Sequence, residues 1–143
     1  MSVEVETVRT VDVPTRIVHG AGAIARLGEL VAELGVTRPL LVTDKGVVAA
    51  GLADATLAHL ENAVVFGEVR PNPDIELVGR ASVVYRESGC DGLVALGGGS
   101  SMDTAKSVGV EVVHGGSIVE YEYGGTPITT RIPPWTKIGR AHV

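Results

Sequence analysis

Residues 93–106, LVALGGGSSMDTAK, run from an unbroken apolar segment into three consecutive glycines and then into a stretch of helical spacing. An apolar run without polar alternation is the pattern of a strand buried on both faces, and a parallel sheet covered by helices on either side buries it. The same grammar recurs upstream. Pro39-Leu40-Leu41-Val42-Thr43 and Ala63-Val64-Val65-Phe66 read as strands, with Arg16-Ile17-Val18-His19 as a short one ahead of them. Residues 23–34, 52–61, 75–88 and 101–112 place apolar side chains at helical spacing; Gly35 stops the first and Asp74 is placed to cap the third. Four strands alternating with helices predict βαβ units in an α/β parallel sheet flanked by helices. Aromatic residues are only 3% of the chain, so its core must be built from Val, Leu, Ile and Ala. Residues 1–15 read as a polar lead-in with alternating Val, and beyond residue 114 the periodicity fades.

A chain of 143 residues suits one domain and buries enough surface to fold without a disulfide or metal staple. Lys and Arg number 12 against 17 Asp and Glu, a net charge of −5 that speaks against a nucleic-acid phosphate binder. A lone cysteine, Cys90, excludes an intramolecular disulfide. No apolar run approaches the roughly 20 residues of a membrane span. The acidic start Met1-Ser2-Val3-Glu4-Val5-Glu6 lacks the basic and apolar regions of a secretory signal. The expectation is a cytoplasmic protein with neither nucleic acid nor membrane as a partner.

Glycines at 97–99 permit a tight turn and let a ligand approach the backbone. The helix behind them offers unpaired N–H groups and a positive dipole end, which together favour an anion, with a cofactor pyrophosphate as the natural occupant. Ser100 can donate its hydroxyl to a phosphate oxygen. The plainer alternative makes the glycines a turn and Ser100 a helix cap. No Gly-Lys-Ser/Thr follows at P-loop spacing. A second loop competes: Gly20-Ala21-Gly22-Ala23-Ile24-Ala25 fits G-x-G-x-x-A, with Asp44 about 20 residues on, the spacing of a dinucleotide-binding unit. It too can be a simple turn into the first helix, and the two loops cannot hold the same pyrophosphate.

Gly97, Gly98, Gly99, Ser100, Asp103, Ala105 and Lys106 match the signature G-G-G-S-x-x-D-x-A-K, and on them the chain resembles the iron-containing alcohol dehydrogenase family. The resemblance extends, in family order, to Ile17-Val18-His19-Gly20-Ala21-Gly22, Leu41-Val42-Thr43-Asp44, Val69-Arg70-Pro71-Asn72-Pro73, Cys90-Asp91-Gly92 and Ile128-Thr129-Thr130-Arg131-Ile132-Pro133-Pro134. It favours the loop at 97–99 over that at 20–22. It implies an NAD(P)-dependent enzyme that interconverts alcohols with aldehydes or ketones by hydride transfer, homo-oligomeric at full length and using Fe2+ or another divalent metal. It further implies a Rossmann-like parallel sheet flanked by helices, the N-terminal domain of the iron-containing alcohol dehydrogenase and dehydroquinate synthase-like fold, with the pyrophosphate at Gly98, Gly99 and Ser100. Asp44 matches the acidic residue at the adenosine ribose, where a carboxylate accepts from the ribose hydroxyls and repels a 2′-phosphate, favouring NAD over NADP. Asn72 matches a cofactor-contacting Asn, and Asp103 sits beside the phosphates or the nicotinamide. Read without the family, Asp44 is a solvated turn residue, Asn72 a turn former, and Asp103 a partner for Lys106 at i,i+3. Two alternatives stand beside the enzyme: a stand-alone nucleotide-binding module without catalysis, and a relative of the glycerol dehydrogenase or dehydroquinate synthase type. Ser100 and the Pro-Asn-Pro turn favour the alcohol dehydrogenase branch.

The family's metal is held by an Asp and several His in a second, helical domain that has no counterpart here. His19, His59, His114 and His142 include no H-x₃-H pair, so no catalytic or metal-ligating residue is assigned. His59 reads as a partly exposed helix residue and Cys90 as an interior one. After Pro134 the family's Pro-Thr-Thr motif is replaced by Trp135-Thr136-Lys137, and residues 138–143, IGRAHV, match the translation of a sequencing adapter, ATC GGA AGA GCA CAC GTC TGA. The expectation is therefore an NAD(P)-binding α/β domain over residues 1–137, incomplete at its C-terminal end, with adapter read-through at 138–143. The helical domain is then absent and the chain inactive by itself.

Overall fold

Consecutive side chains of a strand point to opposite faces, and over Pro39–Thr43 both faces are buried. The computed structural model, which describes residues 16–122 and 124–139, makes this segment the middle of a parallel sheet. Its strands are β1 (Pro39–Asp44), β2 (Val64–Val69), β3 (Gly92–Leu96) and β4 (Trp135–Ile138), in spatial order β2-β1-β3-β4. The helices are α1 (Leu27–Glu33), α2 (Lys45–Ala49), α3 (Leu52–Leu57), α4 (Ile75–Glu87) and α5 (Gly99–His114). Leu40, Val42, Leu93 and Ala95 face α4 and α5, packing with Leu77, Val78, Ala105 and Val108. Leu41, Val94 and Leu96 face the other way, onto Leu27, Val31 and Ala53 from α1 and α3. Two largely aliphatic cores, one on each side of the sheet, with Phe66 and Tyr85 added on the α4 and α5 side, explain why β1 and β3 carry no polar alternation. Among the described residues no helix is long and apolar enough to cross a membrane.

The central strand pair is fastened at both ends. At the amino end Asp91 accepts hydrogen bonds from Thr37 N (2.9 Å), Thr37 Oγ1 (2.7 Å) and Arg38 N (2.7 Å), while its own N–H donates to Arg38 O at 3.0 Å. At the carboxyl end the buried Thr43 hydroxyl donates to Leu96 O at 2.8 Å. Partial burial pushes the Asp91 carboxyl up, but the bonds from Thr37 and Arg38 outweigh it and hold the group below its ordinary value of 3.8. A depressed carboxylate stabilises the fold above its unfolded pKa and loses that contribution as pH falls through the folded one. The unfolding temperature of Asp91→Asn is therefore expected to lie below that of the parent at neutral pH. The gap should close on acidification below about pH 4, as read by thermal unfolding of both chains across a pH series.

Several sequence expectations hold closely. The strands at 39–43 and 92–96 form, and α4 begins at Ile75 with the Asp74 carboxylate accepting from Leu77 N at 2.8 Å. The helix over 23–34 divides into a 3₁₀ turn, Ala23–Arg26, followed by α1. Cys90 is buried, and burial pushes its thiol up, which keeps it protonated. Others need correction. Residues 16–19 form no strand; Ile17 is 79% exposed, and two apolar residues with no neighbour to pair with among the described residues gain nothing from extension. The helix over 52–61 ends at Leu57, leaving His59 partly exposed just beyond it.

The helix expected over 101–112 instead starts at Gly99 and continues to His114, so its N-cap is Gly98 rather than Ser100. Trp135–Ile138 supplies the fourth strand, making the glycine loop the third strand-to-helix junction and not the fourth. Ile138, expected as the first residue outside the domain, pairs with Leu96. The segment leading into β4 is tied to the end of α5. His114 Nδ1 donates to Val110 O at 3.1 Å, while its Nε2 accepts from Thr129 N at 3.2 Å and Thr130 N at 3.0 Å. The expectations for residues 1–15 and 140–143 lie outside the described residues.

Candidate functional site

In this strand order the chain leaves β1 on one side to form β2 and returns on its other side to form β3. The connections diverge above the carboxyl ends of β1 and β3, and open α/β sheets bind their ligands in the crevice at such a switch point. What stands at those two ends is Asp44, the last residue of β1, and Gly97–Ser100, which follow β3. The hydroxyl of Thr43 pins the floor of the crevice through Leu96 O.

Asp44 is partly buried and its two oxygens differ. Oδ1 caps α2 by accepting from Val47 N at 2.8 Å. Among the described residues Oδ2 has no such partner, and it lies beside Gly97, 3.5 Å from where a Cβ on that glycine would stand. Gly97 has φ +134°, a backbone conformation that a side chain disfavours. Its missing Cβ leaves room for Asp44 and for Ser101 of α5 beside the same point.

The amino end of α5 is open. Gly98 carries no side chain to cap it, and the first N–H to find a carbonyl is that of Met102, on Gly98 O at 3.2 Å. The N–H groups of Gly99, Ser100 and Ser101 thus make up the free first turn of a 16-residue helix. Gly98 and Gly99 are exposed, and a Cβ on either would meet nothing within 4 Å. Ser100 is partly exposed, and Ser101 Oγ is buried with no hydrogen-bond partner. Free amides, the dipole of a four-turn helix and glycines without side chains form a cradle suited to a diphosphate. An adjacent carboxylate with a free oxygen suits a diol.

The remaining candidates are less central. Asn72 is exposed in the turn after β2, at φ +51°, three residues beyond Val69, the register partner of Asp44. It therefore sits on the same carboxyl edge, one strand away from Asp44. Asp103 is exposed in the second turn of α5 and makes no ion pair among the described residues. Lys106, expected as its partner, instead lies over the Trp135 ring, 5.5 Å from the centroid. The rival loop at Gly20–Gly22 follows no strand and enters a 3₁₀ turn, so it lacks the βαβ setting that its spacing suggested. Sequence reasoning passed over Thr43 and Ser101. The signal was present in both cases, as a polar residue at a position the pattern assigns to the core. Among the described residues no three His, Cys, Asp or Glu side chains gather into a group that could hold a metal ion.

The model of the iron-containing alcohol dehydrogenases matches this chain over residues 14–138. The chain belongs to that family. Choline dehydrogenase of Bacillus subtilis (strain 168) is 51% identical over 135 residues, which cover 90% of this chain and 34% of that one. The crystal structure of a 1,3-propanediol oxidoreductase superposes with a TM-score of 0.76 at 36% identity, covering 84% of this chain and 32% of the other. Sulfoacetaldehyde reductase from Bifidobacterium kashiwanohense in complex with NAD+ gives the same TM-score at 27% identity, covering 82% and 32%. The chain thus spans about a third of the length of the iron-containing alcohol dehydrogenases it matches, and its sheet and helices have the fold of their N-terminal domain.

Proposed function

We propose that residues 1–137 are the cofactor-binding domain of an NAD-dependent, metal-containing alcohol dehydrogenase that interconverts alcohols with aldehydes or ketones. One observation carries this reading: the uncapped amino end of α5 and the free oxygen of Asp44 share the crevice between β1 and β3. The N–H groups of Gly99 and Ser100 and the Ser100 hydroxyl would hold the diphosphate, with Gly98 leaving room for it. Asp44 Oδ2 would accept from the adenosine ribose and disfavour a 2′-phosphate, selecting NAD over NADP. Asn72 would close the site from the β2 side, with Asp103 farther along α5 from the diphosphate. The nicotinamide supplies or accepts the hydride when bound. A relative of 27% identity whose structure contains NAD+ supports the choice of cofactor. The metal, the substrate pocket, homo-oligomerisation and a cytoplasmic location belong to the full-length protein in this reading.

Titration of the chain with NADH, followed by the rise in its fluorescence, tests the assignment. Asp44→Asn keeps the cap on Val47 and removes the charge. It is expected to weaken NADH about tenfold, the scale of one charge-assisted hydrogen bond, and to narrow the preference over NADPH. A parent chain that leaves NADH fluorescence unchanged would overturn the reading.

A further inference from the structure

Ser101 is 1% exposed, and its hydroxyl pairs with nothing among the described residues. A buried hydroxyl left unpaired is destabilising, so a folded chain that carries one has a reason to be sought. A serine inside a helix ordinarily satisfies itself on the carbonyl four residues back, as Thr104 does on Ser100 O at 2.7 Å. For Ser101 that residue is Gly97, which lies outside the helix at φ +134°, its carbonyl oxygen 3.7 Å from where a Cβ on Gly139 would stand. The Ser101 oxygen instead stands 3.0 Å from the point a Gly97 Cβ would occupy, and Asp44 Oδ2 stands 3.5 Å from the same point. Among the described residues, an unpaired donor and an unpaired acceptor therefore both lie beside one missing side chain.

We propose that Ser101 is a positioning residue of the dinucleotide site, whose hydroxyl donates to Asp44 Oδ2 when that carboxylate engages the ligand's ribose. The proposal rests on the cofactor reading above. Val47 N–H fixes Oδ1 but leaves the carboxylate plane free to turn. A second donor on Oδ2 fixes the plane, and the remaining lone pair of that oxygen still accepts from a ribose hydroxyl. Gly97 is what permits the approach, since a Cβ there would stand 3.0 Å from the Ser101 oxygen and 3.5 Å from Asp44 Oδ2.

Three readouts on the full chain test it. Ser101→Ala is expected to weaken NADH about fivefold, within the range of one net hydrogen bond, and to narrow the preference for NADH over NADPH. The same variant is expected to raise the unfolding temperature by about 3 °C, because it deletes an unpaired buried hydroxyl; a purely structural serine would give a fall. In an Asp44→Asn background the loss of NADH affinity on Ser101→Ala should shrink below about twofold, as coupling through Asp44 requires. Ser101→Cys keeps most of the volume but donates poorly and should lose affinity as the alanine does. A lower unfolding temperature or failure to fold for Ser101→Ala, unchanged NADH affinity in either single variant, or an undiminished effect beside Asp44→Asn each overturns the proposal. If the parent binds NADH and Asp44→Asn weakens it while Ser101→Ala does not, only this proposal falls. If the parent binds no NADH, the cofactor reading falls and takes this one with it.

Discussion

NADH binding is expected to disappear in the Gly99→Val chain while its unfolding temperature stays within about 2 °C of the parent. Gly99 is the first residue of α5, in ordinary helical backbone, and a Cβ there meets nothing within 4 Å. Valine is a better helix former than glycine, so the fold has no reason to object. The isopropyl group nevertheless projects over the free amides of the first helical turn, where the diphosphate would lie. Losing two or more charge-assisted hydrogen bonds corresponds to about a hundredfold in affinity or more. Fluorescence titration and thermal unfolding of the same preparation separate the two effects. Binding that survives the substitution moves the diphosphate elsewhere; binding lost together with stability makes the glycine structural. Gly97 provides the contrast, because φ +134° and the Ser101 oxygen 3.0 Å from its Cβ position penalise any side chain there.

Leu40→Ala is expected to destabilise the chain by about 2–5 kcal/mol, the range for truncating a buried leucine. Leu40 is fully buried in the middle of β1, paired with Val64 on one side and Leu93 on the other, in the core shared with α4 and α5. A domain with a total stability of about 5–15 kcal/mol would lose a large part of it. Urea unfolding should show a lower midpoint with an unchanged slope. Leu52→Ala, at a leucine that is 53% exposed, should stay within about 0.5 kcal/mol of the parent. Similar losses at the two positions would mean that the central strand is not the core of the sheet.

The parts of the fold legible in the sequence are those whose signals are local. The runs at 39–43 and 92–96 are short, apolar and bounded by turn residues, the pattern of strands buried on both faces, and the Asp74 carboxylate announces α4 by itself. Arg16–His19 misled for the opposite reason. Its two apolar residues suggest a strand, but strands exist only in pairs, and no neighbour is supplied for it among the described residues. Trp135–Ile138 shows the converse: a weak local pattern becomes a strand because β3 has an open edge for it. The α5 start moved two residues back because Ser100, though a good cap by type, lies inside the first turn, and Gly98 holds the extended backbone of the cap position.

The candidate site divides in the same way. The glycine triplet and the helix behind it are contiguous in sequence, so a cradle for an anion can be read from residues 93–106 alone. That Asp44 belongs to the same site, and that its free oxygen faces Gly97, depends on β1 and β3 lying side by side although the chain visits β2 between them. Asp103 and Lys106 show the limit of spacing arguments, since the lysine lies over an aromatic ring from β4 and not against the carboxylate three residues before it. Sequence by itself determined where the buried strands run and where the backbone can approach a ligand, because hydrophobic runs and glycines act within a few residues of themselves. Tertiary structure alone decided which strand ends meet, which buried hydroxyl is left without a partner and which rival loop lacks its strand. Those are outcomes of long-range burial, which no short window of the chain contains.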